Sequence, residues 1–220
     1  MNQVERKSVQ KYKMERHRPL KDLLKSFQQL IVWPILKPIE TPLIRYKGQP
    51  KYPPIFVTGP PRSGSTLLYQ LICKGLKVCY LTNFMRCFAT SPVLASIPIK
   101  LIGTGISKEN YNSWYGVIRG WNAPSQGIDF WRRFFGKEFY CYMHMDADCL
   151  KVNAMRDMVG TISFIESLFN LPFVNKWQGH AVHILPLVKS FPNAIFIRIT
   201  REPIQMSQSL LKCRLDLLGD

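Results

Sequence analysis

The chain has no uninterrupted apolar run of the eighteen or so residues that a membrane-spanning helix needs. Its two longest apolar stretches, "LIVWPILKPIETPLI" and "SPVLASIPIKLIGTGI", are broken by prolines and lysines. There is no C-x-x-C pair and no zinc-ligand spacing. The six cysteines, Cys73, Cys79, Cys87, Cys141, Cys149 and Cys213, stand apart, several in apolar contexts such as "QLICKGL" and "KVCYL". They read as buried thiols in a reducing compartment. The basic N-terminus, "MNQVERKSVQKYKMERHRPL", has no apolar h-region, so it is not a secretory signal, and a cytoplasmic protein is expected. Acidic residues are scarce, 14 against 30 Lys and Arg, for a net charge of +16. Such a field draws nucleotides, sulfated or phosphorylated substrates, nucleic acid or an anionic membrane. Lys and Arg flank apolar patches over residues 20–45, which suits a peripheral membrane contact. Packing of those patches on the domain is the plainer expectation. Repeats and low-complexity tracts are absent.

With 220 residues, 46% of them apolar, the chain is expected to form one domain with an appendage. Residues 1–50 read as a basic arm and an irregular, proline-rich lead-in. Residues 51–220 read as the domain, with 84–150 inserted on the acceptor side and resisting a regular assignment. Strands are predicted at 55–58, 77–81, 172–175 and 193–200. Helices are predicted at 64–76, 151–169, 180–191 and from 203. Strand and helix alternate, so the fold class is α/β: three layers, with a mainly parallel sheet flanked by helices.

Ligands of such sheets sit beyond the carboxyl ends of the strands. Two strand-to-helix junctions carry the right chemistry. In "VTGPPRSGSTLL", Gly59 and Gly64 have the spacing of a nucleotide-binding phosphate loop, and Thr66 closes it. Ser65 stands where that loop has its lysine. The cradle is otherwise intact: helix N–H donors, bendable glycines, hydroxyls of Ser63, Ser65 and Thr66, and the guanidinium of Arg62. A fork-shaped cation placed early in the loop suits a compact oxyanion better than a metal-bridged triphosphate. "IFIRIT" ends without an acid to hold Mg²⁺, so a metal-dependent NTPase is disfavoured and no metal is expected. In "ITREPIQMSQSLL", Arg201 ends the strand and Ser209 lies about two turns into the helix, a pair suited to a second phosphate. Anionic groups at both ends of a nucleoside are implied.

At these residues the sequence resembles the sulfotransferase family. "GPPRSGSTLL" is similar to the family's 5′-phosphosulfate loop, and "RITREP" with Ser209 is similar to its 3′-phosphate site. "PFVNKWQGHAVHILPLVKSFPNAIFIRITREP" further resembles bacterial-type members. The resemblance implies a P-loop-type fold and a metal-free transfer of a sulfuryl group. The donor would be 3′-phosphoadenosine-5′-phosphosulfate and the acceptor a hydroxyl or amine, on a carbohydrate or small molecule. It implies that Arg62 and the loop serve the 5′-phosphosulfate, and Arg201 and Ser209 the 3′-phosphate. Lys176 would lie at the leaving oxygen, and His180 or Asp129 would act as base. Family members carry a glutamate where this chain has Thr82 and Asn83, and an acid where it has Gln126. Trp114, Trp121 and Trp131 could stack on a sugar or form a lid core, and Arg132 and Arg133 could attract an anionic acceptor. The chain stops at Asp220, where family members usually continue, so an open sheet edge and an inactive truncated homologue are among the expectations. A P-loop kinase or NTPase, and a basic binding protein for nucleic acid or membranes, are the rival classes. The latter shows no nucleic-acid-binding signature.

Overall fold

A computed structural model describes residues 33–103, 113–114, 116–136 and 145–218. The element order is α1 (Trp33–Arg45), β1 (Ile55–Thr58), α2 (Ser65–Gly75), α3 (Asn83–Cys87), α4 (Pro92–Ile102), β2 (Ser113–Trp114), β3 (Val117–Ile118), α5 (Ile128–Phe135), α6 (Val152–Phe169), β4 (Val174–Lys176), the 3-10 turn Gln178–Ala181, α7 (Ile184–Ser190), β5 (Ile195–Arg198) and α8 (Pro203–Leu218). The expected basic arm at 1–26 lies outside the described residues.

β1 is β-branched and aromatic throughout, and prolines bound it on either side. It pairs in parallel with β4 on one edge and β5 on the other. Register aligns Val57 with Lys176 and Thr58 with Arg198, so all three strands end on one rim. Side chains of a strand alternate between faces. Phe56 enters one core with Trp131, Met158, Ile162, Ile165 and Phe191, beneath α5, α6 and α7. Val57 enters the other, with Tyr69, Ile72 and Ile118, beneath α2 and the β2–β3 hairpin. The sheet is thus mainly parallel and covered by helices on both faces, as parallel sheets require.

Three local expectations are corrected. The strand at 77–81 is reduced to a parallel bridge between Cys79 and Phe173. Cys79 N–H donates to Pro172 O (2.9 Å), and Val174 N–H donates to Cys79 O (2.8 Å). The next rung would need an N–H that Pro172 lacks. At the other end, Ser125 N–H captures Leu81 O (2.7 Å). The irregular segment 84–150 contains α3, α4, α5 and the hairpin. The buried-thiol expectation fits Cys79, whereas Cys87 and Cys149 are exposed.

The proline-rich lead-in is also not irregular over 33–45, because α1 forms there with Pro38 and Pro42 inside it. Each interior proline costs about 3 kcal/mol of helix stability, so tertiary packing must hold this helix. Ile44 is buried against α6 at Gly160, where an added Cβ would fall on the Ile44 carbonyl. Glu40 is 1% exposed, and its Oε2 accepts from Leu94 N–H (3.1 Å) at the start of α4.

Burial raises the Glu40 carboxyl from the usual 4.5 to about 7, against the pull of the Arg133 guanidinium. A carboxyl raised by folding contributes its full stability below 4.5 and loses it as pH climbs through 7. Glu40→Gln keeps the acceptor for Leu94 without the charge. At pH 8 the variant is expected to be more stable than the wild type, on the order of 3 kcal/mol. Melting curves of both proteins between pH 4.5 and 8 check this: the buried His180 and His183 act equally on the two, so the advantage of the variant over the wild type should grow as pH rises. Parallel curves would refute it.

Candidate active site

The loop between β1 and α2 is shaped by two close approaches. A Cβ at Gly59 would meet Ile199 O at 2.8 Å and Ser63 Oγ at 2.9 Å, so only glycine lets the loop lie against the end of β5. Gly64 caps α2 with φ +92, and the space where its Cβ would point is open to 4 Å. The first helical bond of α2 is Leu68 N–H to Gly64 O, 3.1 Å. The N–H groups of Ser65, Thr66 and Leu67 therefore lack an intrahelical acceptor and face the turn. Ser63 Oγ is buried and finds no hydrogen-bond partner among the described residues. Arg62 has φ 66, a left-handed conformation that costs a non-glycine residue about 1 kcal/mol or more.

Arg201, Arg62 and Ser209 join this loop to the second junction. Arg201 NH1 donates to Arg62 O (3.0 Å), and Arg62 Nε donates to Ser209 Oγ (2.9 Å) on α8. Arg201 Nε also donates to Gln205 Oε1 (3.4 Å). Two guanidinium groups and a hydroxyl thus meet on the carboxyl-end rim, open to solvent. The sequence places Arg62 at the 5′-phosphosulfate, whereas its guanidinium here reaches across to Ser209.

Lys176 closes the other end. It finishes β4 and is 1% exposed, and its Nζ donates to Thr66 Oγ1 (3.3 Å) at the start of α2. Burial lowers this amine from 10.5 to about 8. The hairpin turn lies over the same spot. A Cβ at Gly116 would be 3.5 Å from both Thr66 Oγ1 and Gln126 Nε2, and Gln126 Nε2 donates to Gly116 O (3.0 Å). Asn83 holds the hairpin from behind through Ile118 O (2.8 Å) and Gly120 O (2.7 Å).

His180 stands elsewhere. It is fully buried, with Phe56, Trp131 and Trp177 rings 5.1, 4.8 and 5.5 Å away. Its Nε2 lies 2.8 Å from Asn175 Oδ1, which also accepts from Trp131 Nε1 (3.0 Å). An amide oxygen only accepts, so Nε2 carries the proton and Nδ1 holds the lone pair, buried and without a partner among the described residues. Burial, then the charges of His183 and Lys176, push its pKa well below the usual value. Enclosed on these sides, the ring has no exposed surface, and its geometry is that of a packing hub. His183 is equally buried, stacked on Phe135 at 3.7 Å. Asp129 is tied to Arg86 (3.2 Å) and Arg132 (3.8 Å).

The aromatic expectations divide. Trp131 is core, with no exposed surface for a sugar, whereas Trp121 is 51% exposed beside Phe84. The side chain of Trp114 lies outside the described residues. Arg133 is spent on Ala89 O (2.8 Å) and the Phe130 and Phe134 rings. Asn175 is the residue the sequence analysis missed. An amide inside the apolar strand "PFVNK" was its signal, since a buried polar group must be hydrogen-bonded. Its Nδ2 also donates to Ser125 O and Gln126 O, both 3.4 Å, tying the sheet to the segment that bears Gln126.

Among the described residues no cluster of three or more His, Cys, Asp or Glu side chains converges. No curated protein and no solved structure matches the chain. A model of the sulfotransferase family matches residues 53–215, from the prolines before β1 to the last turn of α8, and so takes in both junctions and Lys176. On that match, the chain belongs to the sulfotransferase family.

Proposed function

We propose that the protein transfers a sulfuryl group from 3′-phosphoadenosine-5′-phosphosulfate to a hydroxyl or amine of a carbohydrate or small-molecule acceptor, without a metal. The observation that carries this is the Arg201–Arg62–Ser209 linkage, which draws the two anion-binding junctions onto one rim. A nucleotide phosphorylated at both ends of its ribose needs such a pair of pockets. The residues present fit the donor. Ser63 Oγ lacks a partner, the Cβ position of Gly64 is vacant, and a cationic side chain lies under the helix N-terminus.

When bound, the donor supplies an activated sulfuryl group on a 5′-phosphate leaving group. The N–H groups of residues 65–67 and the Ser63 hydroxyl would hold the sulfuryl oxygens. Lys176 and Thr66, joined by their hydrogen bond, would face the leaving oxygen, where charge develops. Preorganised donors of this kind stabilise a transition state without reorganising. Arg62, Arg201 and Ser209 grip the 3′-phosphate, which fixes the nucleotide's register. The hairpin turn at Gly116 and the exposed ring of Trp121 bound the acceptor side.

The rival, ATP hydrolysis with Mg²⁺, finds no support in the strand ends: β4 ends in Lys176, and β5 ends in Arg198, with Arg201 three residues on. A transfer assay tests the proposal. The purified chain is incubated with the donor and a panel of sugars and alcohols in the presence of EDTA. Acceptor-dependent release of 3′,5′-bisphosphoadenosine is expected. Release of phosphate from ATP that EDTA abolishes, with no turnover of the sulfuryl donor, would replace this function with the rival.

A further inference from the structure

Helix α1 is apolar on two opposite faces. Its inner face carries Glu40 and Ile44 into the packing with α4 and α6. At 100° per residue, Ile35 and Ile39 line up on the other side, and Tyr46, just past the helix end, continues the line; they are 60%, 55% and 88% exposed. A surface helix normally shows polar residues there. Arg45, exposed, borders the stripe, Lys37 is exposed on the other side of the helix, and the one acid of the helix, Glu40, is turned inward. Among the described residues of α1 the outer surface is therefore apolar and cationic with no anion on it. On α4, which Glu40 ties to α1, Leu101 and Ile102 are a further 82% and 67% exposed beside Lys100.

We propose that the outer face of α1 is an interfacial anchor that lays this domain on an anionic lipid bilayer. Apolar side chains entering the headgroup boundary between Lys and Arg are the chemistry of such helices. Two features set it in the plane of the membrane instead of across it. At about 1.5 Å per residue, thirteen residues reach about 20 Å, short of the roughly 30 Å hydrocarbon core. Pro38 and Pro42 also remove two helical N–H donors, and the carbonyls so released need water, which the headgroup layer holds and the hydrocarbon does not. A second copy of the chain is the poorer occupant, because each copy carries a net charge of +16 and would set Arg45 against its like.

The inference goes beyond the sulfuryl-transfer proposal and does not depend on it. Co-sedimentation of the full chain with vesicles of phosphatidylcholine, alone and mixed with phosphatidylserine, tests it. Binding to the mixed vesicles and not to the neutral ones is expected. Ile35→Ser with Ile39→Ser should weaken it roughly a hundredfold. Arg45→Gln should weaken it by roughly fivefold. All three side chains are exposed, so melting temperature and nucleotide affinity should not change. Three results would overturn the proposal: no binding to anionic vesicles, binding that survives the isoleucine substitutions (which assigns it to the basic residues 1–32), or a dimer that those substitutions split.

Discussion

Arg201→Ala is expected to lower the affinity for 3′,5′-bisphosphoadenosine by roughly a hundredfold and that for adenosine 5′-monophosphate by no more than about threefold. Hydrogen bonds to charged groups contribute about 1.5–3 kcal/mol each, and Arg201 can offer the 3′-phosphate two N–H donors. Its NH1 now rests on Arg62 O at 3.0 Å, close to the Arg62–Ser209 contact of 2.9 Å. Removing the guanidinium withdraws cation and fork together. Arg201→Lys keeps the charge without the fork and should fall between wild type and alanine. Titration calorimetry with the two nucleotides separates a lost phosphate contact from a loosened loop. A loss confined to the doubly phosphorylated ligand assigns Arg201 to the 3′-phosphate. Equal losses for both ligands, or none, would detach it from that role.

Lys176→Met separates catalysis from stability. The amine is buried beside Thr66 with its pKa lowered to about 8 by desolvation alone. Unliganded, the folded protein must bury a charge whenever this lysine is protonated. The sign follows from the depressed pKa: stability is greatest above 10.5, where the amine is neutral in folded and unfolded chains alike, and falls as pH drops through 8. Methionine fills similar volume with no charge, so the variant should melt higher at pH 7 and lack the alkaline rise. Turnover should nevertheless fall by about 10²- to 10³-fold, the effect of removing one preorganised donor from a developing negative charge. In the wild type, kcat/KM for the donor should decline above pH 8, because it reports the free enzyme. The bound 5′-phosphate raises the amine's pKa, so kcat should hold to higher pH. A variant that melts lower and turns over normally would make Lys176 structural.

The parts of this molecule legible in its sequence are those where one residue type has one physical use. β1 and β5 are short runs rich in β-branched residues that end at the two strand-to-helix junctions. α6 repeats its apolar positions over 18 residues. The first junction needs glycine, hydroxyl and guanidinium at set spacings and the second needs guanidinium and hydroxyl, so their meeting on one rim was foreseeable. What stayed hidden depends on distant partners. α1 carries two interior prolines and forms because Glu40, Ile44 and Gly160 give it somewhere to dock. The strand at 77–81 fails because Pro172, more than 90 residues away, cannot donate. His180 follows the lysine much as a family base does, yet Asn175 and three aromatic rings claim it. A side chain at Gly64 looks from sequence like a change felt by the ligand alone. Its φ of +92 makes the same change a strain on the start of α2 as well.

The missing side chain at Gly160 has a reach beyond the crossing it permits. There the backbone of α1 sits in a notch only a hydrogen atom deep, and a helix weakened by two prolines has little else to keep it folded. A single methyl group in that notch would act as a wedge, lifting the whole N-terminal helix off the body while the nucleotide rim, on other elements, stayed in place. The chain would keep its rim of loop, lysine and guanidinium groups and lose the face proposed to meet the bilayer.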